Sequence, residues 1–135
     1  MKFVQAIDQE RSVLEEFFED KWDNISDKQR IHQHGFFVDY QDEYKAFFAL
    51  TPAGKSGVWL KNFYMKEGVP ASLPLTIIES SVALAKEKGA SHLYVFSHQQ
   101  SLDSLLGLMQ FQAVESPEFA EKQSLPPGTW WKITV

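Results

Sequence analysis

The order of hydrophobic patterns along the chain predicts an α/β fold with a mixed, mostly antiparallel central sheet and helices on both faces. Three observations carry this expectation. Aromatic runs over 35–41, 44–51 and 58–65 follow one another with only short polar breaks, as in an antiparallel meander. Two segments with apolar residues at helical spacing, 75–89 and 101–111, then flank an apolar run at 91–98, the pattern of a β-α-β unit. The 135 residues are 44% hydrophobic and 14% aromatic, enough to bury a core in a single domain spanning 1–135.

Taken in order, "KFVQAI" reads as a first strand. In "DQERSVLEEFFEDKW" the residues Val13, Leu14, Phe17, Phe18 and Trp22 recur at helical spacing, with Asp8 placed to cap the helix. "NISDKQRIHQ" reads as a polar connection. "GFFVDYQ" and "YKAFFALT" form a hairpin, "TPAGKSG" is a turn by composition, and "VWLKNFYM" is a third strand. In that strand Val58, Leu60, Asn62 and Tyr64 alternate against Trp59, Lys61, Phe63 and Met65.

After the loop "EGVPASLP" a helix carries Leu75, Ile78, Val82 and Ala85 as one apolar stripe and stops at Gly89. "SHLYVFSH" is apolar enough for a central strand covered on both faces. Leu102, Leu105, Leu106 and Met109 make "SLDSLLGLMQF" a short amphipathic helix. "FQAVE" and "TWWKITV" close the sheet, joined by the loop "SPEFAEKQSLPPG". Trp130 and Trp131 are adjacent and point to opposite faces, so one indole either packs under a helix or forms a homodimer contact.

Composition excludes several functions. A net charge of −5 and no basic cluster argue against nucleic acid as a partner, because such binding requires cations to displace counterions from phosphates. Without cysteine there is no disulfide, thiolate metal site or thiol nucleophile. The N-terminus reaches charged residues too soon for a signal peptide, and no apolar run approaches a bilayer span, so no membrane association and a cytoplasmic location are the expectation. His32 and His34 have the i, i+2 spacing that would place both on one face of a strand, but no third ligand accompanies them and no metal is expected.

"AKEKGASHLYVFS" and "SLDSLLGLMQFQAVE" are similar to two motifs of one family, "A...G...L.L.V" and "N..A..LYEK.GF". On these residues the chain resembles the acyl-CoA-dependent N-acetyltransferases of the GNAT superfamily, as a divergent member. The resemblance implies two parallel strands that splay to seat the pantetheine of acetyl-CoA, and a loop of the type Arg/Gln-x-x-Gly-x-Gly/Ala beneath its phosphates. It places Met65, Lys66, Val69, Ala71, Ser72, Leu73 and Gln99 about the cofactor. Val69, Ser72 and Pro74 stand where the family has its arginine and two glycines. Pro70 and Pro74 lack an N–H, which leaves the amides of Ala71, Ser72 and Leu73, the Ser72 hydroxyl and the Lys66 charge for an anion. Leu106 stands where many members carry the tyrosine that protonates the leaving thiolate, and Gln99 stands near the family's asparagine.

An amine acceptor, a small molecule or a peptide, must lose a proton before it attacks, and two residues are placed to assist. Tyr64 brings a polar tip to the third strand. His98 lies at the carboxyl end of the "SHLYVFS" strand, where α/β sheets tend to bind ligands, and imidazole titrates in the useful range. Two functions follow from the resemblance. One is a divergent acetyltransferase, and the other is a non-catalytic module that binds acyl-CoA or a protein partner.

Overall fold

The computed structural model describes residues 1–120 and 125–135. Its elements are β1 (Lys2–Gln5), α1 (Arg11–Phe18), α2 (Lys28–His34), β2 (Gly35–Tyr40), β3 (Glu43–Ala53), β4 (Gly57–Met65), α3 (Leu73–Glu87), β5 (His92–Ser97), α4 (Gln100–Leu108), β6 (Gln112–Val114) and β7 (Thr129–Thr134). The strands form one seven-stranded sheet in the order β1-β2-β3-β4-β5-β7-β6, in which β4 and β5 run parallel while β1-β2, β2-β3, β5-β7 and β6-β7 are antiparallel. The mixed, mostly antiparallel α/β architecture expected from the sequence is therefore present. Among the described residues no helix is long and apolar enough to cross a membrane. The chain divides into two compact units, Met1–Thr51 with Asn62–Ala71, and Pro52–Lys61 with Ser72–Val135.

The first unit is built on aromatic packing. Phe36 pairs with Phe48 and Phe37 with Phe47 across β2 and β3, so alternate rings face opposite sides of the sheet. Phe37 and Phe47 pack with Leu14, Phe17 and Phe18 from α1, Trp22 beyond it and Ile31 of α2. The turn between β2 and β3 is the two-residue kind that suits the twist of a hairpin, with Gln41 at φ 54° and Asp42 at φ 66°. Gly35 opens β2 because a side chain there would enter the Phe47 ring and the Ile31 carbonyl.

Three expectations for this unit are corrected. The helix predicted from Asp8 to Trp22 is shorter: Asp8 lies in a 3-10 turn, Glu10 is the N-cap of α1, and a second 3-10 segment, Glu19–Asn24, carries Trp22. The break is local, since Glu19 has φ 53° and ψ −124°, outside the helical basin. The polar connection contains α2, whose only buried side chain is Ile31, so its apolar signal is one residue deep. His32 and His34 thus sit on a helix, and the His32 Nε2–H donates to the Gln9 carbonyl at 2.8 Å. Among the described residues no cluster of three or more His, Cys, Asp or Glu could hold a metal.

The second unit is organised around β5, with β4 on one side and β7 on the other. Leu93, Val95 and Ser97 are buried while His92, Tyr94 and Phe96 are half-buried, so coverage is tighter on one face than on the other. On the Trp130 face Trp59, Tyr94, Phe96 and Phe119 pack around that indole. Trp131 packs under a helix: its Nε1–H donates to Asp103 Oδ1 of α4 at 2.9 Å. Asp103→Ala is expected to lower stability by about 1 kcal/mol, the usual worth of one such bond, and to red-shift tryptophan emission as the indole gains water. An unchanged spectrum and denaturation midpoint would remove this role.

α3 begins earlier than its apolar pattern predicts, at Leu73, with Pro74 in the first turn where a missing N–H costs no helical bond. Its buried side is Leu73, Ile77, Ile78, Ser81 and Ala85, and Leu75 is 37% exposed, so the stripe is rotated from the expected one. Ser81 is tolerated there because its hydroxyl donates to the Ile77 carbonyl at 2.7 Å. Gly89, at φ 78°, ends the helix as expected, and Ala90 N–H returns to the Ala85 carbonyl at 3.0 Å. The predicted loop over 116–128 holds a 3-10 turn at Glu118–Ala120, and its residues 121–124 lie outside the described residues.

Candidate functional site

In the second unit the parallel ladder of β4 with β5 is short. It runs from Gly57↔His92 to Leu60↔Val95, and no further pair follows within the unit. β5 continues for Phe96 and Ser97, which pair with Trp130 and Thr129 of β7 on their other edge. Directly beyond, the buried Ser97 hydroxyl donates to the Gln99 carbonyl at 3.0 Å, and the Gln99 carbonyl accepts from Asp103 N–H, which fixes the entry to α4. Gln99 is the N-cap of α4 but its side chain makes no capping bond, and both it and His98 are exposed.

The start of α3 is the other polar feature of this unit. Ser72 is the N-cap and its carbonyl accepts from Thr76 N–H at 3.1 Å and from the Thr76 hydroxyl at 3.2 Å. The Ser72 side chain makes no capping bond, so its hydroxyl and the first amides of α3 remain available. Leu73 contributes only its amide, because its side chain is core at 2% exposure. Leu106, at the position compared with a tyrosine acid, is fully buried and supplies no proton.

In the first unit a cavity of about 410 Å³ opens beside Tyr64. Its apolar wall is Phe17, Phe18 and Tyr64, with Tyr64 edge-on to Phe18 at 5.0 Å between centroids. Lys21 Nζ lies 5.9 Å from the centre of the Tyr64 ring and Lys66 Nζ lies 4.5 Å from that of Phe17, both at cation-π distance. Glu19, Asp20, Met65 and Glu67 complete the lining. Lys66 is held at its backbone, where its N–H donates to the Lys45 carbonyl at 2.8 Å.

Phe17 and Lys66 also line a second cavity, of about 490 Å³, with Glu16, Glu43, Tyr44 and Lys45. There Lys45 Nζ pairs with Glu43 Oε2 at 2.9 Å, and the hydrogen bond and charge of Lys45 hold the Glu43 carboxyl below its usual range. The contribution of this pair to stability is present above the ordinary carboxylate range and disappears as pH falls through the lowered value.

Asn62 was legible as a polar residue in β4 but not as a special one. It has φ 56°, a left-handed backbone conformation inside β4 that few residues with a side chain adopt. Its Oδ1 is buried with no hydrogen-bond partner. Of the other residues expected at the cofactor, Val69 is half-buried, Ala71 and Ser72 are exposed, and Met65 is 43% exposed. Tyr64, Met65 and Lys66 share the first cavity.

No family model and no curated protein matches the sequence. Solved structures do match. A Mycobacterium tuberculosis protein in complex with CoA superposes with a TM-score of 0.75 over 100% of this chain and 99% of that one, at 8% identity. The fold is that of the GNAT acetyltransferases. A Staphylococcus aureus acetyltransferase of the GNAT family gives 0.67 at 13% identity, covering 98% of each chain. A GNAT family acetyltransferase from Elizabethkingia anophelis with acetyl-CoA bound gives 0.61 at 14%, covering 79% of this chain and 80% of that one. The GNAT fold anticipated from "AKEKGASHLYVFS" and "SLDSLLGLMQFQAVE" is thus present over the whole chain, at identities that fix the fold alone.

Proposed function

We propose that this chain is a GNAT-fold acyltransferase that moves an acetyl group from acetyl-CoA to an amine. The observation that carries the reading is the early end of the β4-β5 ladder at Leu60↔Val95. Past that end, the main chain of Phe96 and Ser97 is assigned to the two amide groups of a pantetheine arm, which it would meet as a strand edge meets an added strand. The chain fits the phosphates less well. Ser72 and Leu73 offer amides and a hydroxyl at the start of α3, but Pro70 and Pro74 offer none, and no arginine stands in the loop. Phosphate recognition is therefore expected to be weak and the pantetheine contribution dominant. When bound, acetyl-CoA supplies an activated thioester, and the protein's own task is to hold the amine and relay its proton.

Tyr64 is the residue assigned to the amine, since its ring lies in a cavity wall beside charged side chains that orient a polar ligand. His98 is exposed at the exit of β5 and serves as an alternative proton acceptor. Asn62, next but one to Tyr64, is assigned a supporting role: its orphaned Oδ1 and positive φ are two costs borne at one residue, and such costs gather at functional positions. Asn62→Gly relieves both. It is expected to leave the denaturation midpoint unchanged or higher, while acetyl-CoA or amine affinity falls roughly tenfold, about 1.4 kcal/mol. A lower midpoint with unchanged affinity would make Asn62 purely structural.

A second reading, a CoA-binding module without turnover, draws on Leu106, whose burial leaves the leaving thiolate without the family's usual acid. Calorimetric titration with acetyl-CoA, CoA and a phosphate-free pantetheine fragment separates these from no binding at all. Saturable binding only modestly weakened by loss of the phosphates is the expected result. Thiol release on adding amines then favours the enzyme, and its absence favours the module. No heat up to millimolar ligand would overturn both.

A further inference from the structure

The cavity beside Tyr64 has an unusual charge inventory. Lys21 and Lys66 stand over its rings, and Glu19, Asp20 and Glu67 also line it. Among the described residues none of these five is in an ion pair within 4 Å, in contrast to Glu43 and Lys45 of the neighbouring cavity, although the Lys66 charge also acts on Glu43 from a distance. Opposite charges that line one cavity without pairing leave both signs available to a ligand. A purely cationic amine would be drawn to the carboxylates but repelled by the two ammonium groups, and an anion would meet the reverse. A zwitterion meets both favourably. The half-buried Tyr64 ring, backed by the nearly buried Phe17 and Phe18, adds an apolar surface, and about 410 Å³ is within the range of small-molecule sites. Glu19 supports the assignment. Its φ of 53° and ψ of −124° are costly for a residue with a Cβ, and this conformation ends α1 where the chain turns along the cavity.

We propose that this cavity binds an α-amino acid with an apolar or aromatic side chain. Its carboxylate lies toward Lys21 and Lys66, its ammonium toward Glu19, Asp20 and Glu67, and its side chain on the rings. The assignment rests on the acyltransferase reading and names the acceptor class. In the transfer, the α-nitrogen gives up one proton, bonds to the thioester carbonyl carbon and loses a second proton as the C–S bond breaks. One proton ends on the CoA sulfur and the other in solvent, leaving an N-acetyl amino acid.

The test uses the full chain and titrates L-phenylalanine, L-leucine and L-methionine singly, followed by ligand-observed NMR. Phenethylamine, which lacks the carboxylate, and 3-phenylpropionate, which lacks the amine, serve as comparisons. At least one amino acid is expected to bind tenfold or more tightly than either comparison. Lys66→Met and Lys21→Met are expected to weaken it tenfold or more while phenethylamine binding stays the same or improves, a pattern that a folding defect would not give. Binding of phenethylamine as tight as that of the amino acids, an effect of the lysine variants on all probes alike, or no binding by any amino acid would overturn the proposal. Acetyl-CoA titrated in parallel keeps the two levels apart. If it binds and spermidine is acetylated while the amino acids are not, the acceptor class is wrong and the acyltransferase reading stands. If an amino acid binds but acetyl-CoA does not, the acyltransferase reading fails and the zwitterion cavity survives as a binding site.

Discussion

Tyr64→Phe is expected to lower the rate of acetyl transfer by about a hundredfold, the lower range for removing a positioned proton-transfer group. The substitution deletes one oxygen and keeps the ring, so the edge-on contact with Phe18 at 5.0 Å and the Lys21 ammonium near the ring are retained. Stability should therefore change little, and affinity for acetyl-CoA should not change. Those two invariants make the result interpretable: a fall in kcat with an unchanged melting temperature and unchanged cofactor affinity assigns the hydroxyl to chemistry. Full activity in the variant would move that role to His98, whose replacement by glutamine would then carry the loss.

Phe47→Ala is expected to cost about 3–5 kcal/mol, the usual range for truncating a buried phenylalanine. Phe47 is fully buried, and its ring lies 5.1 Å from Phe18, 5.3 Å from Phe37 and 6.2 Å from Phe17. The vacated space cannot close easily, because Gly35 on the adjoining strand offers no side chain to fill it. Urea denaturation would show the loss as a lower midpoint at unchanged slope. Because Phe17 and Phe18 also line the cavity beside Tyr64, the same variant should loosen binding of the proposed amino acid there. A loss below about 1 kcal/mol would mean that this aromatic cluster is not the core of the unit.

The element order was legible because its signals are local. The aromatic alternation of β2 and β3, the Gln41-Asp42 turn, and the Gly89 stop of α3 each follow from residues next to one another. Three features were not. α2 buries one side chain, so its polar composition hid a helix. Glu19 ends α1 through a backbone angle that no residue type announces, and the positive φ of Asn62 inside β4 is equally silent in the sequence. The candidate site divides similarly. Tyr64 was visible as a polar tip in an apolar strand, whereas its neighbours in the cavity, Lys21 and the carboxylates of Glu19 and Asp20, come from a segment some forty residues earlier. Only the folded chain sets them beside it.

Acyl-CoA is proposed to bind at the C-terminal end of β5 and the start of α3. Backbone amide NMR during an acetyl-CoA titration tests it residue by residue. Saturable shifts are expected, largest at Phe96 and Ser97, with smaller ones at Ser72 and Leu73. Saturable shifts confined to other parts of the chain, or none at millimolar acetyl-CoA, would contradict it.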